Sequence, residues 1–117
     1  MAKTFDFNKL KEKTLKVVLT DPENTTLVLK TPNKKLFEYL KRVQDDIKNV
    51  EEHKDCEELF DSLYDVTAKI MSHNKEGIEI TPEKLKELYD EIEYIYAFLE
   101  AYTDFIKDYH IANNSKN

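Results

Sequence analysis

A single glycine, Gly77, and three prolines in 117 residues leave too few turn formers for a sandwich or barrel of many short strands. The apolar residues recur at helical spacing instead. Leu36, Leu40, Val43, Ile47 and Val50 repeat at intervals of three and four and predict a first helix. Thr31-Pro32 precedes it, and a threonine that accepts from free N–H groups, followed by proline at the first helical position, is a strong helix start. After the polar break "EEHKD", Cys56, Leu59, Phe60, Leu63, Val66, Thr67 and Ile70 predict a second helix. It should stop within Ser72–Gly77, where Asn74 or Gly77 can take the left-handed conformation that ends helices. Ile78–Ile80 is long enough only for a connector or a one-bridge strand. Thr81-Pro82 then repeats the start signal and opens a third helix expected to reach His110. The likeness of "TPNKKL" to "TPEKLK" is one capping solution used twice, since the similarity ends there.

Ahead of the helices, "MAKTFDFNKLKEK" mixes Phe5, Phe7 and Leu10 with charge and reads as an extended or mobile arm that pins its aromatics on something. Two β-branched apolar runs, Leu15–Leu19 and Thr26–Leu29, flank Asp21-Pro22-Glu23-Asn24. Proline presets φ for a turn, and Asp and Asn bond their own backbone there, so the segment predicts a β-hairpin over about residues 14–30. The expected fold is therefore mainly α: an N-terminal β-hairpin followed by three helices in a small bundle. Residues 1–112 form one domain, and 113–117, "NNSKN", a frayed tail.

Composition narrows the function. No apolar run approaches the roughly 20 residues needed to span a bilayer, and "MAKTFDFNKL" lacks the apolar stretch of a signal peptide. The lone cysteine, Cys56, cannot form an internal disulfide, which points to a reducing, cytoplasmic setting. The net charge of −6 is uneven. Residues 1–54 carry 12 Lys/Arg against 9 Asp/Glu, a balance of +3, whereas residues 55–117 carry 6 against 15, a balance of −9. So acidic a chain is a poor nucleic-acid binder, because phosphate neutralisation needs a basic face. Solvated helix faces account for the asymmetry; a sharper reading is a polar molecule able to associate head to tail.

Catalytic and metal-binding patterns are weak. His53 and Cys56 are three apart, but two ligands do not make a closed zinc site. His73 and His110 lie near predicted helix C-termini, where a cationic side chain suits the local dipole. One glycine allows no glycine-rich phosphate loop. Glu57, Glu58, Asp61 and Asp65, then Glu87, Asp90, Glu91 and Glu93, read as solvated faces; acid–base catalysis needs carboxylates converged and partly desolvated. No metal site, cofactor or catalytic residue is assigned.

The third predicted helix is unusual in being apolar on two sides. Leu85, Leu88, Ile92, Ile95, Leu99, Tyr102, Ile106 and Tyr109 form a core stripe, widened by Tyr89 and Tyr96. On roughly the opposite side lie Tyr94, Phe98, Ala101 and Phe105, at intervals of four, three and four. A helix in a three-helix domain has one face to bury. The hairpin or arm covers the second stripe, or another molecule does, through self-assembly or a client protein.

The C-terminal half, "LYDVTAKIMSHNKEGIEITPEKLKELYDEIEYIYAFLEAYTDFI", resembles the tail assembly chaperones and related small tail-gene products of long-tailed phages and prophages of Gram-positive bacteria. Their "ILSxNxxGxxIT" hinge stands here as Ile70-Met71-Ser72-His73-Asn74, Gly77 and Ile80-Thr81. Their "YD…FxxAYxxFI" helix stands as Tyr89-Asp90, Phe98, Ala101-Tyr102 and Phe105-Ile106. The opening "FDFNKLKEKTLKVVL" is also similar, so the likeness spans most of the chain. These are packing motifs. The resemblance implies a non-enzymatic role in the host cytoplasm: binding the tape-measure protein, keeping it soluble and helping to assemble the tail tube. It makes Asn74 and Gly77 a hinge between helices, and the second apolar stripe, Tyr94, Phe98, Ala101 and Phe105, suits such work as the interaction surface. The alternative is a structural or adaptor protein of a prophage acting through homo-oligomerisation; a small metal- or carboxylate-dependent enzyme is the weakest reading. Neither a nucleic acid nor a membrane is an expected partner.

Overall fold

The computed structural model describes residues 5–7, 13–48 and 56–114. In chain order its elements are β1 (Thr14–Val18), β2 (Thr26–Lys30), α1 (Lys34–Lys48), α2 (Cys56–Ser72), α3 (Pro82–Leu88) and α4 (Ile92–Asn114). The predicted class holds, mainly helical behind an N-terminal hairpin, with one helix more than expected. Val50, His53 and residues 115–117 lie outside the described residues, as do the side chains of Cys56, Tyr109 and His110. α4 runs on to Asn114, into the first two positions of the expected tail.

The hairpin forms as its turn chemistry dictates. Asn24 N–H donates to the Asp21 carbonyl at 2.9 Å, closing a turn with Pro22 at its second position. Asn24 takes the left-handed conformation, φ 48°, which asparagine tolerates. The buried Asp21 carboxylate accepts from Thr25 N–H at 2.7 Å and from the Thr25 hydroxyl. Those two bonds hold its pKa below the ordinary carboxylate value, with Lys84 Nζ at 3.5 Å adding to the effect. The strands pair antiparallel with Leu15 opposite Leu29 and Val17 opposite Leu27. Leu27 and Leu29 are fully buried, and Leu15 and Val17 pack half-buried against the core.

α1 starts two residues later than predicted. Its cap is Asn33, whose Oδ1 accepts from Leu36 N–H at 2.8 Å; Pro32 lies before the cap, and Thr31 remains in the chain leaving β2. Asparagine caps at least as well as threonine, so the second competent residue in "TPN" takes the position. At α3 the device works as read: Thr81 is the N-cap, its hydroxyl accepts from Lys84 N–H at 3.2 Å, and Pro82 opens the helix.

The predicted third helix is two helices. At Tyr89, φ −130° and ψ 74°, the chain leaves α3, and α4 begins three residues on. No glycine or proline marks this break. Tertiary bonds hold it open: the Tyr64 hydroxyl donates to the Tyr89 carbonyl, and Thr20 N–H donates to the Tyr89 hydroxyl at 3.1 Å.

Leu36, Leu40 and Val43 of α1, Leu63, Val66 and Ile70 of α2, Leu85 of α3 and Ile95, Leu99 and Tyr102 of α4 meet the hairpin in one core. Phe60, predicted on the buried face of α2, is 39 % exposed, because neighbouring Leu59 occupies that edge of the face. Among the described residues no helix is long and apolar enough to cross a membrane.

Candidate functional site

The segment after α2 is built as a fixed joint. The Ser72 hydroxyl bonds near the Ala68 carbonyl at 2.7 Å and the Ile80 carbonyl at 3.0 Å, and accepts from Ile80 N–H at 2.9 Å. Its single proton serves one carbonyl at a time. Asn74 is buried, and its amide donates to the carbonyls of Met71 at 2.7 Å and Ile78 at 2.8 Å. Its Oδ1 accepts from Ile78 N–H at 3.0 Å. Gly77 supplies the left-handed residue, φ +71°, in the loop these bonds close. Asn74 does not take that conformation; it acts through its side chain.

The same segment docks the hairpin. Lys30 N–H donates to the His73 carbonyl at 3.1 Å, Lys75 N–H to the Val28 carbonyl at 3.0 Å, and Val28 N–H to Glu76 Oε1 at 2.9 Å. Leu29 and Asn74 form an isolated antiparallel bridge, so the one bridge lies at Asn74, and Ile78–Ile80 is a connector. His73 Nε2 sits 3.1 Å from the Thr31 carbonyl; a carbonyl only accepts, so this nitrogen carries the proton. A lone hairpin is marginal in water, and here its inner strand is flanked on both sides.

The second α4 stripe does not lie opposite the core face as expected but flanks it, since Phe98 and Phe105 pack against the core, and its four residues have unequal surroundings. Phe98 and Phe105 are half-buried and lie on either side of Tyr102, ring centroids 6.0 and 5.8 Å away. Ala101 is exposed. Tyr94 is 58 % exposed, with its ring 5.6 Å from that of Tyr89. Beside Tyr94 and Phe98 is a cleft of about 180 Å³, completed by Ile95, Tyr89, Met71 and, from the hairpin, Val17, Val18 and Leu19. Sequence reasoning missed the hairpin's share. Val18, 56 % exposed, is the one apolar residue on the outer side of β1, and an apolar residue at a polar position of the alternation was the signal. The cleft offers apolar surface and two phenol hydroxyls, one already accepting from Thr20. It is suited to holding an apolar side chain.

A larger groove, about 700 Å³, runs between α1, α2 and the start of α3. On its wall the Tyr39 hydroxyl donates to Asp65 Oδ2 at 2.6 Å. Lys69 Nζ is 3.1 Å from the same oxygen and 4.7 Å from the Tyr39 ring centre, and the Arg42 guanidinium stands 5.4 Å from that ring. Burial, then the Asp65 hydrogen bond, pushes the Tyr39 pKa up to about 12. The Tyr39 hydroxyl in turn holds Asp65 below the ordinary carboxylate range, with Lys69 adding to it. Both shifts move away from neutrality, opposite to what general acid–base catalysis requires. The cluster is a tie between α1 and α2. Among the described residues no three His, Cys, Asp or Glu side chains are grouped to hold a metal ion.

Comparison with family models, with curated proteins and with solved structures finds no match to this chain.

Proposed function

We propose that the protein is a non-enzymatic assembly chaperone that binds a helical tail protein, in the first place the tape-measure protein of its own phage or prophage, in the host cytoplasm. The observation that supports this is the flank of α4 beside its core face. With Ile95, Leu99 and Tyr102 committed to the core, the helix still carries Tyr94 and Ala101 in the open, with Phe98 and Phe105 at the boundary. Anchors at this spacing suit a helix-in-groove contact, and an aromatic patch beside an apolar cleft suits a protein partner. The motif resemblance around Ser72–Thr81 and Tyr89–Ile106 supplies the identity of the client. The role requires no cofactor or metal.

The test is co-expression with the adjacent tape-measure protein, reading its soluble fraction and co-purification. Tyr94→Ser with Ala101→Arg alters exposed positions only, so helicity should persist while the client precipitates. A client that stays equally soluble without this protein, or with the double variant, removes the reading. A second reading, a prophage adaptor acting as a homo-oligomer, is favoured by the exposed aromatics Phe5 and Phe7, 68 % and 77 % accessible.

A further inference from the structure

We infer that the apolar cleft between β1 and α4 receives the Phe5–Phe7 pair of a second copy of this chain, so that copies join arm to cleft. The inference gives the homo-oligomer reading its contact, and it holds whatever the client is.

Size and chemistry match. An apolar cavity of about 150 Å³ holds a benzene ring, and this cleft measures about 180 Å³. Its rim residues Val18 and Tyr94 are more than half exposed. Phe5 and Phe7 are the most exposed large apolar side chains described and pack edge to face on each other, centroids 4.7 Å apart. Neither lines the cleft of its own chain. The two rings pack as one unit, so one ring can enter while the other lies on Val18.

Charge fits as well. In sequence, residues 1–13 carry Lys3, Lys9, Lys11 and Lys13 against Asp6 and Glu12. Asp90, Glu91 and Glu93 are exposed in the stretch between the cleft residues Tyr89 and Tyr94, and no Lys or Arg occurs from Tyr89 to Ile106. A basic arm meeting an acidic stretch gains affinity at low ionic strength and loses it as salt screens the pair. The backbone also allows the approach: among the described residues β1 pairs with β2 alone, while the far side of β2 is taken by His73–Lys75. Among the described residues nothing pairs with the outer edge of β1, next to Val18, where an added strand can bind. The contact is heterologous, so each copy offers one arm and one cleft, and assembly continues until a ring closes.

The experiment uses the full chain without client, by sedimentation velocity from about 10 to about 200 μM in about 0.05 M and about 0.5 M salt. Wild type should gain mass with concentration, more so at low salt. Phe5→Ser with Phe7→Ser, and separately Val18→Lys, should each weaken association tenfold or more while far-UV circular dichroism stays unchanged. The decisive step mixes the two variants. The arm of the Val18→Lys protein fits the intact cleft of the Phe5→Ser/Phe7→Ser protein, so a one-to-one heterodimer should form that neither makes alone. A wild type monomeric throughout, arm variants that associate like wild type, or mixed variants that stay monomeric would each overturn the inference.

Discussion

Asn74→Ala should be among the most damaging single substitutions in this chain that leave the apolar core intact. The side chain is buried and makes three hydrogen bonds, to the carbonyls of Met71 and Ile78 and from Ile78 N–H, at 2.7, 2.8 and 3.0 Å. Each such bond is worth about 0.5–1.5 kcal/mol net, and a buried group left without its partner costs about 1–3 kcal/mol. Alanine deletes all three bonds and strands the Ile78 N–H. The two carbonyls suffer less, since a carbonyl tolerates a lost donor better than an N–H a lost acceptor. The expected loss is about 3–4 kcal/mol, a large part of the roughly 5–15 kcal/mol that holds a domain of this size together. Asn74→Asp should be worse than alanine at neutral pH, because a carboxylate oxygen then faces two carbonyl oxygens where the amide donated. The assay is urea unfolding followed by far-UV circular dichroism. A loss below about 1 kcal/mol for alanine would refute the reasoning: the 72–80 joint would then be held by its backbone alone, and the hairpin would not depend on it.

Asn33→Ala should lower stability by about 1 kcal/mol, and Thr31→Ala by clearly less, because Asn33 provides the cap; equal effects in chemical unfolding would return the cap to Thr31. Thr67 is fully buried, and its hydroxyl has no hydrogen-bond partner among the described residues. Thr67→Val should therefore be neutral or stabilising in a thermal melt, and a marked loss would reveal a partner for the hydroxyl. Asp21 and Asp65 have lowered pKa values, chiefly through Thr25 and Tyr39 respectively. Their contribution is present above the unfolded value and is lost as pH falls through the lowered ones. Asp21→Asn with Asp65→Asn should flatten the acid limb of urea midpoint against pH, and an unchanged limb contradicts the assignment. Tyr39 acts with the opposite sign: its contribution is present below the ordinary value of 10.0 and is lost as pH rises through about 12.

Much of the architecture is local and therefore legible. The hairpin follows from Asp21-Pro22-Glu23-Asn24 because each residue solves a backbone problem within four positions. The inner faces of α1 and α2 follow from spacing, and Thr81-Pro82 marks a helix start because cap and first turn are neighbours. Where local rules offered two equivalent answers, at Thr31 and Asn33, reading the strings could not choose. The α3–α4 break was hidden for another reason. Tyr89-Asp90-Glu91 has ordinary helical tolerance, and the bonds that hold it open come from Tyr64 and Thr20, 25 and 69 residues away.

The candidate site divides the same way. Periodicity alone identified Tyr94, Phe98, Ala101 and Phe105 as a second apolar line on one helix. Packing then set Phe98 and Phe105 against Tyr102, left Tyr94 and Ala101 outside, and brought Val17 and Val18 of β1 to the same cleft. Asn74 and Gly77 were legible as a junction, but the junction's grip on β2 was not. By itself the sequence determined which residues are apolar, where the turn and the start of α3 lie, and which faces are oily, since these rest on interactions between near neighbours. The tertiary structure decided where the last helix breaks, which of its apolar residues remain open and what stands beside them, because each depends on contacts across many residues of chain.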